Sequence, residues 1–360
     1  MMTAAAGVVA RPDAITPAWL NAVLAGALGG ARVVEVKTAR VGTGHVGDSF
    51  RLTMEFDRPT HAPASLVAKL PSADPASRAA AVAMRTYEVE VGFYRELAPQ
   101  LPIRTPRCYH VAYEPASDEF VLLLEDLAPA RQGDQIAGCS MEQAVLAVQE
   151  LPKLHAPRWG DPKLAAIPWL NRGGPGGAAG MATLIANLFE GFRARYADRL
   201  DADVLAIAER LMRRLPDYFA NRPGPWTVTH GDFRLDNLMF GTDAGGPPIA
   251  VLDWQTAAHG PGISDLSYFI GASLMPDARR RHETDLVRLY HDGLARSGVD
   301  SLSWDDCWTE YRRYAFAGLI MAIAASMLVM RNARGDDMFI AMAQRHGRQA
   351  LDLESEKLLG

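Results

Sequence analysis

The feature that most narrows the fold is a change of periodicity at Asp126. Before it, short apolar runs alternate with glycine, proline and aspartate; after it, runs of helical length dominate. Phe50, Leu52, Met54 and Phe56 alternate with Arg51, Thr53 and Glu55, the period-two signature of a strand with one buried face. Ala31–Val41, Ser49–Phe56, Ser65–Leu70, Arg107–Tyr113 and Glu119–Leu124 read as strands. Thr16 and Pro17 open a helix predicted to reach Leu28. A second helix is predicted over Ser77–Leu97, with Met84, Tyr87, Val91 and Tyr94 on one face. Beyond Asp126, Met141–Leu154, Ala179–Leu200, Ala202–Phe219, Asp277–Ser297 and Trp304–Met330 read as helices, interrupted by a β-rich island from Trp226 to Trp254. The expectation is an α+β chain: a small antiparallel-sheet lobe over 1–126, a connection over 127–138, and a larger, mainly helical lobe over 139–360.

Composition removes several function classes. Residues 1–131 hold 13 basic and 14 acidic side chains and residues 132–360 hold 24 and 28, so neither part has the basic excess of a nucleic-acid binder. Cys108, Cys139 and Cys307 are few, odd in number and far apart, which argues against a disulfide framework or a cysteine-rich zinc site and fits a cytoplasmic setting. Met1–Ala10 lacks a basic segment and is too short for a secretory leader. The apolar run Ala315–Met330 falls short of the roughly 20 residues a membrane span needs and reads as a core helix. No membrane association and no obligate protein partner is expected.

Two features of the first part bear on phosphate chemistry. Gly42-Thr-Gly44-His-Val-Gly47 runs into a strand rather than a helix, which argues against a dinucleotide fingerprint. A strand–glycine loop–strand hairpin suits a flap over nucleotide phosphates, because glycine lets backbone N–H groups approach the anionic oxygens; a plain hairpin turn is the alternative. Lys69 lies inside the apolar run Leu66–Leu70, in a chain with 5 lysines and 32 arginines. A lysine kept there points to a site that needs a compact ammonium rather than a planar fork. Such a lysine pairs with a glutamate on the following helix; Glu90 is the first candidate and Glu88 the competitor.

The most informative segment is His230-Gly231-Asp232-Phe233-Arg234-Leu235-Asp236-Asn237, which leads into an apolar strand. An aspartate followed five positions later by asparagine matches a kinase catalytic loop, with Asp232 accepting the proton of an acceptor hydroxyl and Asn237 offering an oxygen to Mg²⁺. Asp253 ends a second apolar run and is the matching carboxylate ligand, since Mg²⁺ takes one or two carboxylates plus phosphate oxygens and water. His230 is expected to be structural, because phosphoryl transfer asks mainly for positioning and charge.

In this order, His230-Gly-Asp232-x-x-x-x-Asn237 followed by Leu252-Asp253-Trp254 resembles the phosphotransferase family of aminoglycoside and choline kinases. The segments Val41–Phe50, Leu66–Leu70, Glu90–Leu97 and Leu122–Leu127 resemble its bacterial ecdysteroid-kinase-like members. The resemblance implies a protein-kinase-like bilobal fold, ATP as phosphoryl donor, Asp232 as base, and Asn237 and Asp253 as Mg²⁺ ligands. It further implies nucleotide contacts at Gly42, Gly44, Gly47, Lys69, Glu90, Glu125 and Leu127, the last two from a hinge over Leu124–Leu127. Asp265 matches a family aspartate that supports the catalytic loop.

The expected function is ATP- and Mg²⁺-dependent phosphorylation of a hydroxyl on a small molecule. Two alternatives stand beside it: a nucleotide-binding module without turnover, and an aminoglycoside phosphotransferase proper. A protein kinase is disfavoured, because Pro261 and Asp265 follow Asp253 too closely for an activation segment. The helical part has only four acids in excess (28 − 24), little for a polycationic acceptor. Tyr311, Tyr314, Phe316, Met321 and Met327 are instead candidates for an apolar acceptor pocket, although a methionine and aromatic stripe at helical spacing is more often core.

Overall fold

The computed structural model describes residues 7–42, 46–171 and 177–359. The chain divides into two compact units. One comprises the residues up to Gln100, Thr105–Ala128 and Asp253–Gln255; the other comprises Leu101–Arg104, Pro129–Leu252 and the residues from Thr256 onward.

The first unit begins with helix α1 (Pro17–Val23), capped by the Thr16 hydroxyl, which accepts from the N–H of Trp19. Strands β1 (Val33–Val41), β2 (Gly47–Phe56) and β3 (Ser65–Pro71) follow, then helices α2 (Pro75–Ala83) and α3 (Thr86–Gly92), and strands β4 (Cys108–Glu114) and β5 (Glu119–Glu125). The five strands form one antiparallel sheet in the order β1-β2-β3-β5-β4. Strand alternation sends Leu52, Met54, Leu66, Ala68, Leu70, Val121 and Leu123 to one face, where they pack with Leu20, Leu24 and Leu28, and Phe50 and Phe56 flank the same cluster. The other face carries Lys69, opposite Leu122, and Phe120, whose ring lies 4.5 Å from that of Tyr87 on α3. One face of the sheet is thus a dry core. The other presents the lysine.

Two sequence expectations change here. The opening helix stops at Val23, and Leu24 and Leu28 reach the core from a turn instead. The helix expected over Ser77–Leu97 is three pieces: α2, α3 and a wide turn over Phe93–Leu97. The break is at Arg85, whose backbone is left-handed (φ 56°) and whose guanidinium is held by Glu88 at 2.7 and 2.8 Å. The break leaves Met84 exposed while Tyr87, Val91 and Tyr94 stay buried.

In the second unit, β6 (Arg131–Gln132), α4 (Met141–His155), α5 (Gly177–Tyr196), α6 (Ala202–Ala220), β7 (Thr227–Thr229), β8 (Leu238–Thr242), β9 (Gly245–Val251) and β10 (Ala258–Gly260) precede helices α7 (Ile263–Ser273), α8 (Pro276–Arg296), α9 (Trp304–Arg313), α10 (Ala317–Leu328) and α11 (Ala333–Asp352). The strands make a β6-β8-β9 sheet and a β7-β10 pair. The segment read as a connection therefore contains a strand, since Arg131 and Gln132 pair with Phe240 and Met239. The helix predicted from Trp304 to Met330 is broken by a tight turn at Tyr314–Phe316, where three consecutive side chains are buried and no single helical stripe can serve them all. No described helix is long and apolar enough to cross a membrane.

Candidate active site

Within the first unit, Lys69 sits between two carboxylates. Its ammonium donates to Glu90 Oε1 at 2.8 Å and to Asp253 Oδ1 at 2.7 Å, while Gln255 Nε2 donates to Asp253 Oδ2 at 3.1 Å. Glu90, not Glu88, is the partner, because the left-handed turn at Arg85 spends Glu88 on Arg85. Burial opposes the charge on Lys69, but Asp253 and Glu90 outweigh it and raise its pKa. One ammonium cannot neutralise two carboxylates, so burial prevails at Glu90 and pushes its carboxyl above the usual range, against the pull of Lys69.

The neighbouring residues explain how this cluster is built. Gly47 leaves room beside it: a Cβ there would stand 3.1 Å from the Leu70 carbonyl and 3.6 Å from Lys69 Cε. Asp253 has a left-handed backbone (φ 63°), and the next residue, Trp254, is buried with its ring stacked 3.8 Å from that of Phe93 in the turn after α3. That stack fixes the Asp253 segment to the element that carries Glu90. Gly42, at φ 75°, turns the chain out of β1; Gly44 lies outside the described residues. Glu125 ends β5, where its carboxylate accepts from the N–H of Arg107 at 3.0 Å, and Leu127 is buried. Between them, Asp126 receives Arg51 at 2.6 and 3.0 Å and the hydroxyl of Ser65 at 2.9 Å.

The second unit assembles the loop from His230 to Asn237. Gly231 takes φ 79°, and a Cβ on it would fall 2.5 Å from the Thr256 carbonyl, so only glycine fits. Asp265 supports the turn from beneath, accepting the N–H groups of His230 at 2.6 Å and Gly231 at 3.0 Å. His230 is fully buried with both ring nitrogens engaged, Nε2 with the Leu252 carbonyl at 2.8 Å and Nδ1 with the N–H of Asp232 at 3.2 Å. It orders the loop.

Asp232 is heavily bonded. Arg234 Nε donates to both carboxylate oxygens at 3.0 and 3.1 Å, Asn237 Nδ2 to Oδ2 at 2.9 Å, and the Tyr268 hydroxyl to Oδ1 at 2.6 Å. Arg234 also reaches Asp236 at 2.9 Å, and Asp236 receives both arms of Arg334 from α11 at 3.0 Å. Burial works against the charge of Asp236, yet Arg334, Arg234 and the N–H of Gln135 hold its carboxyl below the ordinary range. Arg234 lies inside the motif, where sequence reasoning gave it no task. Tyr268 and Arg334 were missed: Tyr268 is one turn after Asp265, a proximity visible only once α7 is known to be a helix.

The oxygen donors expected for Mg²⁺ are of the right chemistry. Asp253 offers a carboxylate, and Asn237 uses its amide nitrogen on Asp232, which leaves the amide oxygen as its donor end. Among the described residues, no group of three or more His, Cys, Asp or Glu side chains is gathered to hold a metal ion. The aromatic residues expected to line an acceptor pocket do not: Tyr311, Tyr314 and Phe316 are fully buried core.

The model of the ecdysteroid kinase-like family matches residues 42–157 and 178–302. Over 70 residues the chain is 39% identical to acyl-CoA dehydrogenase family member 10 of Mus musculus, a stretch that covers 19% of this chain and 6% of that protein. The chain thus spans a small fraction of the curated relative it matches. Choline kinase from Cryptosporidium parvum superposes with a TM-score of 0.54 at 10% identity, covering 89% of each chain. The GDP complex of a mutant aminoglycoside 2'-phosphotransferase-IIIa gives 0.50 at 13% identity, covering 90% of this chain and 92% of that one. The two structural likenesses give the chain a kinase-like fold.

Proposed function

The chain belongs to the ecdysteroid kinase-like family, and on that premise we propose that it transfers the γ-phosphoryl group of ATP to a hydroxyl of a small molecule. The observation that carries this reading is Lys69, held by Glu90 and Asp253 on the face of the sheet opposite its apolar core. A buried ammonium with two carboxylate partners is costly to maintain as packing. It suits a site that receives the phosphates of a nucleotide.

In this reading Lys69 binds and orients the α- and β-phosphates, and Glu90 keeps the ammonium in place. Gly42 and Gly47 let the β1–β2 hairpin lie close to them, while the backbone at Glu125 and Leu127 meets the adenine. Asp232 accepts the hydrogen of the acceptor hydroxyl as its oxygen bonds to the γ-phosphorus and the bond from phosphorus to the ADP oxygen breaks. Asn237 and Asp253 are the residues that would hold Mg²⁺, which supplies charge neutralisation on the phosphates. His230 and Asp265 order the loop that bears Asp232 and Asn237.

The test is ADP release from MgATP in the presence of a library of hydroxylated small molecules, with Asp232→Asn as control. Acceptor-dependent release by the wild type, lost in Asp232→Asn, supports the proposal. Nucleotide binding without release for any acceptor would favour the reading as a binding module.

A further inference from the structure

We infer that Tyr268 is a positioning residue for Asp232, braced by His346 from the C-terminal helix. The inference rests on the reading of Asp232 as the group that faces the acceptor hydroxyl.

Three observations converge on Tyr268. Its hydroxyl lies 2.6 Å from Asp232 Oδ1, the shortest of the contacts to that carboxylate, and the side chain is 4% exposed. A short hydrogen bond from a neutral hydroxyl to a carboxylate is charge-assisted and directional, so it fixes the rotation of the carboxylate plane as well as its place. Arg234 bonds the same carboxylate through one nitrogen shared between both oxygens, which restrains rotation less.

The tyrosine is itself held. The His346 ring packs against the Tyr268 ring with centroids 5.4 Å apart, and His346 Nδ1 meets Gln349 Oε1 at 3.1 Å. This histidine occupies space that two other helices vacate: a Cβ at Gly271 of α7 would come within 2.5 Å of its Nδ1, and a Cβ at Gly318 of α10 within 1.8 Å of its Nε2. A glycine inside a helix is less favourable than alanine. At Gly271 the same Cβ would come even nearer Gln349 Oε1, at 1.9 Å, so the two glycines leave a space built for His346 together with its Gln349 partner. His346 and Gln349 lie in α11, beyond the segments that the family model matches.

Burial and the negative charge of Asp232 raise the Tyr268 hydroxyl well above its ordinary pKa, so it stays a donor throughout the working range. The phenol keeps its proton during the reaction, while the acceptor's proton goes to Asp232. Tyr268 therefore affects the rate through the orientation of Asp232 and leaves nucleotide and acceptor contacts to other groups.

The experiment compares wild type with Tyr268→Phe, which removes one oxygen and keeps the ring, and with His346→Ala, which removes the brace. Proton NMR should show a downfield hydroxyl signal in the wild type that vanishes in both Tyr268→Phe and Asp232→Asn. Turnover of MgATP with the best acceptor, or with water, should fall 10- to 100-fold in Tyr268→Phe with KM for ATP unchanged within about 2-fold, and fall less in His346→Ala. Wild-type turnover in Tyr268→Phe would overturn the inference. So would a hydroxyl signal that survives Asp232→Asn. If the signal behaves as expected but Asp232→Asn turns over normally, the assignment of Asp232 fails while the Tyr268–Asp232 contact stands.

Discussion

Lys69 and Asp253 are 184 residues apart in the chain, yet the ammonium of one meets the carboxylate of the other at 2.7 Å inside one compact unit. A strand lysine is thereby joined to a segment that arrives from the far end of the β-rich island. The pairing leaves the site's charges poised: one cation, two carboxylates, and Glu90 only 1% exposed.

Replacing Lys69 by Met should expose that imbalance. It leaves Glu90 and Asp253 facing each other without a cation, a loss of about 3–5 kcal/mol for a broken buried pair. Chemical denaturation should show Lys69→Met strongly destabilised and the double variant Lys69→Met/Glu90→Gln substantially recovered. Neither variant should release ADP at more than about 1% of the wild-type rate, because the phosphate-positioning charge is gone from both.

Gly231→Ala should be damaging out of proportion to one methyl group. The backbone there is left-handed, and the new Cβ would press on the Thr256 carbonyl at 2.5 Å. Left-handed strain alone costs about 1–3 kcal/mol. The loop must also shift, so turnover should fall at least as far as in Asp232→Asn. A Gly231→Ala protein of wild-type stability and rate would contradict the geometry of this turn.

Much of this site was legible in the sequence because its chemistry is local or ordered along the chain. The loop from His230 to Asn237 carries its own spacing, and strand alternation puts Lys69 on the opposite face from Ala68 and Leu70. The choice of Glu90 over Glu88 was not settled there, since it depends on a left-handed Arg85 that no periodicity announces. The roles of Tyr268, Arg334 and His346 were not legible for a similar reason. Tyr268 reaches Asp232 from α7 and Arg334 reaches Asp236 from α11, while His346 packs against the ring of Tyr268, and none of these contacts follows from position along the chain. For Tyr311, Tyr314 and Phe316 the sequence leaves pocket and core both open, and the structure spends all three on the core.

His346 should leave a mark on stability against pH. Burial lowers its pKa to about 4, so the folded protein keeps it neutral where the unfolded chain, with a value near 6.5, has taken a proton. The unfolded state then binds more protons between about pH 4 and 6.5, and stability is lost as pH falls through that window. The contribution is on the order of 3 kcal/mol. Urea melts from pH 7 to 4 should show this slope in the wild type and a flatter one in His346→Asn. Equal slopes would place the acid sensitivity elsewhere.

Trp254→Ala removes the ring stacked on Phe93 and should cost about 3–5 kcal/mol, the range for emptying a large aromatic site. Its specific consequence is for Asp253, which loses the neighbour that anchors its left-handed backbone. Mg²⁺-dependent ATP affinity should weaken by 10-fold or more, whereas Trp254→Phe, which keeps a ring for the stack, should recover most of it. Equal affinities for Trp254→Ala and wild type would detach the stack from the positioning of Asp253.

The most direct test of the account separates its two aspartates by calorimetric titration of ATP, with and without Mg²⁺, alongside ADP release. Asp232→Asn should bind MgATP within a few-fold of wild type while turnover collapses, because its contribution belongs to the transition state. Asp253→Asn should lose both turnover and the Mg²⁺-dependent part of ATP binding. Loss of Mg²⁺-dependent binding in Asp232→Asn but not in Asp253→Asn would reverse the two roles, and wild-type turnover in both variants would contradict phosphotransfer at this site.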